Sequence, residues 1–246
     1  MRTIIVGDTH GLIEETIELV EKKIGYKAGV DVLMSVGDMV DKGPNSADVV
    51  EFFRARNARV VKGNHEEKHI KRIANLIKAA QDPKFKLQGK WDEGYEAVLT
   101  SLNSSQKGWI CSLPSIIPFG ENNSWLLVHA GLDYGIPLEK QGKCLWLRYI
   151  NKNTGAMIPF DGTPGVPKDG IWWAERWKGP EKVIYGHQPW NGEVRIENGT
   201  YGIDTGAVHG RKLTALVFEG TITKDAVPEI VQVDAKKVYS PDIYGD

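Results

Sequence analysis

Five short motifs place a side chain that can bind a metal directly after a segment with the pattern of a β-strand, and glycine or alanine stands beside each. They are Gly7–Gly11 (GDTHG), Gly37–Gly43 (GDMVDKG), Gly63–Glu66 (GNHE), Val128–Gly131 (VHAG) and Tyr185–Pro189 (YGHQP). Carboxylate, imidazole and amide oxygen on loops at strand ends are the donors of a two-metal hydrolytic site. The chain is therefore restricted to folds in which distant strand ends meet at one place.

The first sixty residues alternate between strand and helix patterns. Apolar strands are predicted at Thr3–Val6, Gly29–Val36 and Arg59–Val61, with helices at Leu12–Lys23 and Ser46–Arg56 between them. This order is typical of a parallel sheet with right-handed crossovers. The carboxyl ends of parallel strands gather at one edge, where ligands bind.

The rest of the chain has a different pattern. Residues 67–113 predict helices at Lys68–Ala80 and Trp91–Leu102, which we interpret as a helical insertion beside the sheet. Strands are then predicted at Ser124–Val128, Lys182–Tyr185, Glu193–Ile196, Gly199–Ile203, Leu213–Glu219 and Glu229–Val233. We expect one α/β (α+β) domain over residues 1–246, with two mixed β-sheets packed face to face and flanked by helices. A Trp-, Gly- and Pro-rich loop segment is expected at about residues 146–180.

The bulk composition excludes several classes of protein. The chain has 31 basic and 32 acidic residues, a formal charge of −1, so it has no global attraction to nucleic acid or anionic membrane. No apolar run approaches the roughly 18 residues of a membrane span. The sequence opens directly into a strand without a leader-like apolar region, so a cytoplasmic location is expected. Cys111 and Cys144 are expected to be reduced core residues.

Simpler explanations exist for the individual motif residues. Asp8 could cap the helix that follows it, with His10 incidental, and His129 and His187 could be core histidines. However, buried carboxylates after several successive strands would repel each other strongly unless cations neutralised them. Four of the six histidines also lie within the five motifs. The mixture of carboxylate and imidazole suits manganese, iron, zinc or cobalt better than calcium or magnesium alone.

Taken together, the five motifs resemble those of the calcineurin-like metallophosphoesterases. Asp41, three residues after Asp38, and the single histidine of Gly186–Pro189 (GHQP) resemble the phosphoprotein-phosphatase branch. That branch includes serine/threonine phosphatases and symmetric diadenosine tetraphosphatases. Leu145–Arg148 (LWLR), Trp173–Gly179 (WAERWKG) and Ile203–Leu216 are similar to bacterial members. The resemblance implies the four-layer sandwich of this superfamily.

The resemblance also implies two divalent transition-metal ions, with manganese favoured and iron, zinc, cobalt or nickel as alternatives. Its implied ligands are Asp8, His10 and Asp38 for the first ion, and Asp38 again, as a bridge, with Asn64, His129 and His187 for the second. His65, oriented by Asp41, is the implied general acid. Arg148, Lys42 and Asn64 are the implied contacts to the phosphoryl group. The implied reaction is direct attack by a hydroxide that bridges the metals.

Three features leave the substrate open. Lys42 stands where the family usually has arginine, which exchanges a planar phosphate clamp for a flexible ammonium. His209 and Arg211 also depart from bacterial relatives, either as substrate contacts or as solvated loop residues. Five of the eight tryptophans lie in residues 146–190, where they either pack the core or stack a nucleobase.

The sequence thus predicts a metal-dependent phosphatase that acts on phosphomonoesters or phosphoanhydrides. Phosphoserine or phosphothreonine proteins and dinucleoside polyphosphates such as the tetraphosphates rank nearly equal as substrates, and nucleotide or nucleic-acid ends, including RNA ends, come third. A non-catalytic phosphate-binding module is a more distant alternative, because such proteins are expected to have lost His65, Asp41 or a ligand. A phosphodiesterase is disfavoured by the single histidine of the last motif.

Overall fold

The computed structural model describes residues 1–87, 91–161, 163 and 165–241. Residues 88–90 of the predicted insertion, 162 and 164 of the predicted loop segment, and 242–246 at the end of the predicted domain lie outside the described residues. Thirteen strands form three sheets within the described part of the chain. They are β1 (Arg2–Val6), β2 (Val32–Ser35), β3 (Arg59–Val60), β4 (Ile116–Phe119), β5 (Trp125–Val128), β6 (Tyr149–Asn151), β7 (Met157–Ile158), β8 (Gly170–Trp172), β9 (Lys182–Tyr185), β10 (Arg195–Glu197), β11 (Thr200–Gly202), β12 (Lys212–Glu219) and β13 (Glu229–Asp234).

Two five-stranded mixed sheets form the centre of the molecule. The first has the order β13-β12-β1-β2-β3, in which β1, β2 and β3 are parallel and β12 and β13 are antiparallel to their neighbours. The second has the order β10-β11-β9-β5-β4, with β5, β9 and β11 parallel. A small antiparallel sheet has the order β7-β6-β8, and among the described residues its strands form no ladder with either large sheet.

The two large sheets pack face to face through apolar side chains. Ile5 and Met34 of the first sheet are fully buried with Trp125, Leu127 and Ile184 of the second. Because side chains alternate along a strand, the neighbours of Ile5 point to the opposite face of the first sheet and pack against helices. This confirms the predicted α/β architecture with two mixed sheets.

The helices cover the outer face of the first sheet. They are α1 (Ile13–Ile17), which continues as a π-helical turn over Glu18–Lys23, and α2 (Ser46–Ala55), α3 (Asn64–Gln81), α4 (Glu93–Ser101) and α5 (Ser104–Cys111). Asp92 caps α4 by accepting a hydrogen bond from the Tyr95 N–H (2.9 Å), and Asn103 with Gln106 forms a capping box at α5. Short 3₁₀ turns lie at Glu121–Asn123, Leu138–Lys140, Trp173–Arg176 and Ala207–His209.

The outer face of the second sheet is covered by the small sheet and the segments next to it, whereas helices cover that of the first sheet. Its buried side chains pack against Leu147, Trp172, Trp173 and Trp177, and Trp172 belongs to β8 of the small sheet. These three tryptophans are therefore core residues, whereas Trp146 is 43% exposed. The loop segment predicted at about residues 146–180 contains β6, β7 and β8, which pair only with each other among the described residues.

Three further details differ from the sequence-based predictions. The strand predicted over Gly29–Val36 begins only at Val32, because the Asp31 carboxylate accepts hydrogen bonds from the Lys27 N–H and the Arg2 side chain and so closes a turn. Helix α5 and strand β4 were not predicted individually. Cys111 was predicted as a core residue but is exposed, because it lies at the end of α5, whereas Cys144 is buried.

Among the described residues, no helix combines the length and the apolar character needed to cross a bilayer.

Candidate active site

The predicted site residues lie at the carboxyl ends of parallel strands in both large sheets. Asp8, Asp38 and Asn64 follow β1, β2 and β3, while His129 and His187 follow β5 and β9. The two sheet edges meet, because the His187 N–H donates to the Asp8 carboxylate (3.1 and 3.2 Å) across 179 residues. Asp8 does not cap α1, whose N-cap residue Leu12 makes no side-chain capping bond.

Asp38 lies at the centre of the cluster. Its Oδ2 atom is 3.6 Å from His10 Nε2 and 3.5 Å from His129 Nε2, and its Oδ1 atom accepts a hydrogen bond from the His65 N–H (3.0 Å). The far nitrogen of each imidazole is fixed by a backbone carbonyl. His10 Nδ1 lies 2.9 Å from the Val40 oxygen, and His129 Nδ1 lies 2.9 Å from the Val36 oxygen. Such contacts orient the Nε2 atoms toward Asp38.

Asn64 joins the two histidines of the second sheet. Its Oδ1 atom is 2.8 Å from both His129 Nε2 and His187 Nδ1. The amide oxygen, two imidazoles and a carboxylate therefore converge from four separate loops. A side-chain cluster of this kind offers several donor atoms to one cation.

The donor set fits two cations. Ligand atoms of His10, Asp38 and His65 lie within 4.8 Å of one another, and those of Asp38, His129 and His187 do likewise. Asp38 belongs to both groups, as a bridging ligand should. Mixed oxygen and imidazole donors suit first-row transition metals and do not select one of them.

Burial shapes the protonation of this cluster. Burial raises the pKa of the Asp8 carboxyl, and the charges of Asp204 and Asp38 raise it further. Burial also lowers the pKa of His10, as does the nearby Lys42 ammonium. Neutral imidazoles are the form that binds metals, and crowded buried carboxylates favour a bound cation over protons.

His65 and Asp41 form a buried pair beside this cluster. His65 Nδ1 is 2.7 Å from Asp41 Oδ2, and the other carboxylate oxygen is 2.8 Å from His69 Nε2. Burial alone would raise the pKa of Asp41, but the hydrogen bonds from His65 and His69 outweigh it and lower the pKa to about 2. Asp41 is therefore ionised at neutral pH and accepts from both rings.

Two basic side chains border the cluster. Arg148 is only 5% exposed, and its guanidinium donates through Nε to His187 Nε2 (2.9 Å) and through an Nη atom to the His187 carbonyl (3.2 Å). The Lys42 Nζ atom lies 3.1 Å from His10 Nε2. Lys42 thus borders the cluster at His10 and Arg148 borders it at His187, so two positive groups are available to an anionic ligand.

Three further residues belong to the site but received no role from the sequence. The Glu66 carboxylate accepts three backbone N–H bonds, from Asp38, Met39 and Gly63, and so ties the loops after β2 and β3 together. The position of Glu66 inside the GNHE motif was its only signal. His69 follows His65 by one helical turn, a spacing that could have revealed it. Asp204 is buried after β11.

The backbone of the site is unusual. Ten non-glycine residues have positive φ within the described chain, and half of them lie in the loops of the five motifs: His10, Asp38, Asp41, Lys42 and His187. Such conformations cost free energy and persist only where surrounding contacts enforce them. Their concentration in these loops indicates that the surrounding contacts fix the directions of these side chains.

Glycine next to the ligands allows this close packing, which gives a first prediction. A Cβ atom at Gly63 would lie 2.1 Å from Asp38 Oδ1 and 2.5 Å from the Asp38 backbone nitrogen. Gly63→Ala should therefore displace Asp38 and lower metal content and activity together. Gly108→Ala is the matched control, because a Cβ atom there meets nothing within 4 Å. Equal metal content in the two variants, measured by elemental analysis, would contradict this account.

Comparison with known proteins gives a consistent result. The family model described as calcineurin-like phosphoesterase matches residues 1–215. A relative from Anoxybacillus flavithermus, named bis(5'-nucleosyl)-tetraphosphatase PrpE (asymmetrical), is 30% identical over 95% of this chain and 96% of its own. A relative of the same name from a Geobacillus species is 31% identical over 89% of this chain and 91% of its own.

Solved structures show the same similarity. The crystal structure of a candidate diadenosine tetraphosphatase superposes with a TM-score of 0.74 at 28% identity, covering 95% of this chain and 93% of that one. A protein serine/threonine phosphatase from Saccharomyces cerevisiae superposes with a TM-score of 0.53 at 16% identity, covering 95% and 80%. At that identity the second likeness concerns the fold alone.

Proposed function

Because this chain belongs to the calcineurin-like phosphoesterase family, and is thus a hydrolase of phosphoric esters or anhydrides, we propose that it works as a dinuclear metallophosphatase. Its metal ligands are Asp8, His10, Asp38, Asn64, His129 and His187. The observation that carries the proposal is that Asp38 belongs to both groups of converging donor atoms. The resemblance to the family favours manganese, with iron, zinc, cobalt and nickel as alternatives that the donor set suits equally well.

The residues divide the chemistry between them. Two bound cations supply an activated water and charge neutralisation. Arg148, Lys42 and Asn64 hold and orient the phosphoryl oxygens, and the planar guanidinium matches two of these oxygens at once. His65 Nδ1 is engaged by Asp41 (2.7 Å), which leaves Nε2 to deliver a proton to the leaving oxygen.

A direct experiment tests this proposal. Purified protein is assayed with para-nitrophenyl phosphate after chelation and again after titration with Mn²⁺, while bound metal is counted by elemental analysis. We expect activity to rise with occupancy and to saturate at two ions per chain. Full activity in the chelated protein, or saturation at a single ion, would contradict a dinuclear centre.

The preferred substrate is part of the proposal. Dinucleoside tetraphosphates are supported by the names of the relatives, which specify asymmetrical cleavage, whereas the sequence motifs are similar to symmetric enzymes. Phosphoserine and phosphothreonine proteins are the second substrate class, supported by Asp41 and the single histidine of the last motif. Product analysis with diadenosine tetraphosphate distinguishes ATP plus AMP from two ADP.

A cavity beside Arg148 is suited to an extended substrate. It has a volume of about 230 Å³ and is lined by Trp146, Tyr149, Ile158, Phe160 and Val166, among others. The Arg148 guanidinium lies 5.2 Å from the centre of the Phe160 ring on one side and contacts His187 on the other. A phosphoryl group held by Arg148 thus places its neighbouring group at this cavity, and the exposed rings of Trp146 and Phe160 offer stacking surfaces.

A variant of Trp146 tests the use of this cavity. Base stacking on an aromatic ring contributes on the order of 1–3 kcal/mol, so Trp146→Ala should raise KM for diadenosine tetraphosphate about tenfold. The KM for para-nitrophenyl phosphate should stay nearly unchanged. Ile230→Ala is the control, since Ile230 is equally exposed (44%) on β13. An unchanged KM for diadenosine tetraphosphate would remove the cavity from nucleotide binding, and a raised KM for a phosphopeptide would assign it to that substrate.

A further inference from the structure

His69 lies outside the five motifs, yet its side chain contacts Asp41, the carboxylate that is paired with His65. It is on α3, four residues after His65, and none of its surface is exposed. Residues four apart on a helix face the same side, so the two rings approach Asp41 together. His69 Nε2 is 2.8 Å from Asp41 Oδ1, and His65 Nδ1 is 2.7 Å from Asp41 Oδ2.

The two contacts occupy both oxygens of one buried carboxylate. Asp41 is 4% exposed and sits in a loop with a positive φ of 69°, where its own N–H donates to Ser46 Oγ (3.0 Å). Without His69, the Oδ1 atom would lose this hydrogen bond while remaining buried. A buried carboxylate oxygen without a partner is costly, so Asp41 would rotate or shift to recover one.

The surroundings of His69 indicate which nitrogen carries its proton. The Nδ1 atom has no hydrogen-bond partner among the described residues, and the rings of Trp91 and Tyr95 stand edge-on at 5.4 and 6.1 Å between centroids. An ionised carboxylate only accepts hydrogen bonds, so we assign a proton to His69 Nε2, which makes His69 a hydrogen-bond donor to Asp41.

We propose that His69 is a positioning residue for the acid step: it fixes the Asp41 carboxylate, which in turn orients His65 toward the leaving group. The inference rests on the proposed role of His65 as general acid. Trp91, which precedes α4, and Tyr95 within α4 contact the His69 ring and help to keep it from water. Two hydrogen bonds then connect His69 to Asp41 and Asp41 to His65, the residue that would donate the proton.

The test compares two substitutions at one position. His69→Leu removes the donor but keeps similar bulk, whereas His69→Gln retains an N–H that can reach Asp41. General acid catalysis contributes typically 10²–10⁴-fold and matters most for poor leaving groups, so His69→Leu should lower kcat for phenyl phosphate about tenfold. The loss on para-nitrophenyl phosphate should stay below about threefold, and His69→Gln should recover most of the phenyl phosphate activity.

Two controls separate this role from a structural one. Ile70→Ala removes an apolar contact of the same helix, so it should lower the melting temperature without changing the ratio of the two rates. In an Asp41→Asn background, His69→Leu should cause no further selective loss, because residues that act as a unit are not additive. An equal loss on both substrates, or a full additional loss in that background, would overturn the proposal.

The outcome also distinguishes this inference from the function beneath it. Selective loss in His65→Asn without selective loss in His69→Leu removes His69 from the acid step and leaves the general acid in place. Absence of selective loss in His65→Asn overturns both. Loss of bound metal in His69→Leu would also overturn the proposal, because His69 is not among the proposed metal ligands.

Discussion

Asp38→Asn is expected to abolish nearly all phosphatase activity and to release metal. Asp38 contributes to both groups of converging donors, and its Oδ2 atom lies 3.5–3.6 Å from one imidazole of each sheet. An amide has the same shape but no charge, so two bound cations would lose the anionic ligand that we propose they share. Since each metal contributes several kcal/mol to the barrier reduction, we expect kcat with para-nitrophenyl phosphate to fall by roughly 10³-fold or more.

The measurement combines kinetics with metal analysis. Elemental analysis after dialysis against Mn²⁺ should show less than two ions per chain, and excess Mn²⁺ should restore little turnover. Asp48→Asn serves as the control, because Asp48 is an exposed carboxylate in the first turn of α2. A variant that keeps two ions and most of its activity would show that Asp38 is not the bridge.

His65→Asn is expected to retain metal but to lose activity according to the leaving group. His65 Nδ1 contacts Asp41 rather than the centre of the donor cluster, although the His65 ring lies 4.9 Å from that of His10. The variant lacks the imidazole that protonates the leaving oxygen, so phenyl phosphate turnover should fall on the order of 10²-fold or more. The para-nitrophenolate group of para-nitrophenyl phosphate leaves without a full proton transfer, so the turnover of this substrate should be affected far less.

The same experiment tests an alternative reading of the geometry. One His65 atom lies within 4.8 Å of ligand atoms from His10 and Asp38, which makes it a geometric candidate for metal binding. If His65 were a ligand, His65→Asn would lose metal and would slow both substrates equally. Retained metal with a strong leaving-group dependence would support the acid role.

The early strands and the motif loops were predictable because their signals are local. Apolar runs such as Ile4–Val6 and the glycine-bounded ligands after them occupy a few consecutive residues. The structure confirms the α/β architecture and brings the five motifs into one cluster. Parallel strand ends meet at one edge of a sheet, so the grouping of ligands within each sheet followed from topology. The meeting of the two groups depends on how the two sheets pack, as the contact between His187 and Asp8 shows.

Other features depend on pairing between distant segments. Strands β6, β7 and β8 are two or three residues long and, within the described part of the chain, pair only with each other, so they are too short to show a periodic sequence pattern. Helix α3 was predicted, but its contact with Asp41 through His69 was not, because the loop of Asp41 lies 28 residues earlier. The contact between Arg148 and His187 was not predicted either, because the two residues are 39 positions apart in the sequence.

The sequence by itself determined which chemical groups this protein brings to its site, since residue type and adjacent glycine are written in the motifs. Tertiary structure alone decided how those groups are held. The Glu66 side chain accepts hydrogen bonds from three backbone N–H groups and so connects two loops. The two carboxylate oxygens of Asp41 contact two histidines of one helix. Hydrogen bonds across the fold depend on distances and angles that form only when both sheets have packed, and no local pattern encodes them.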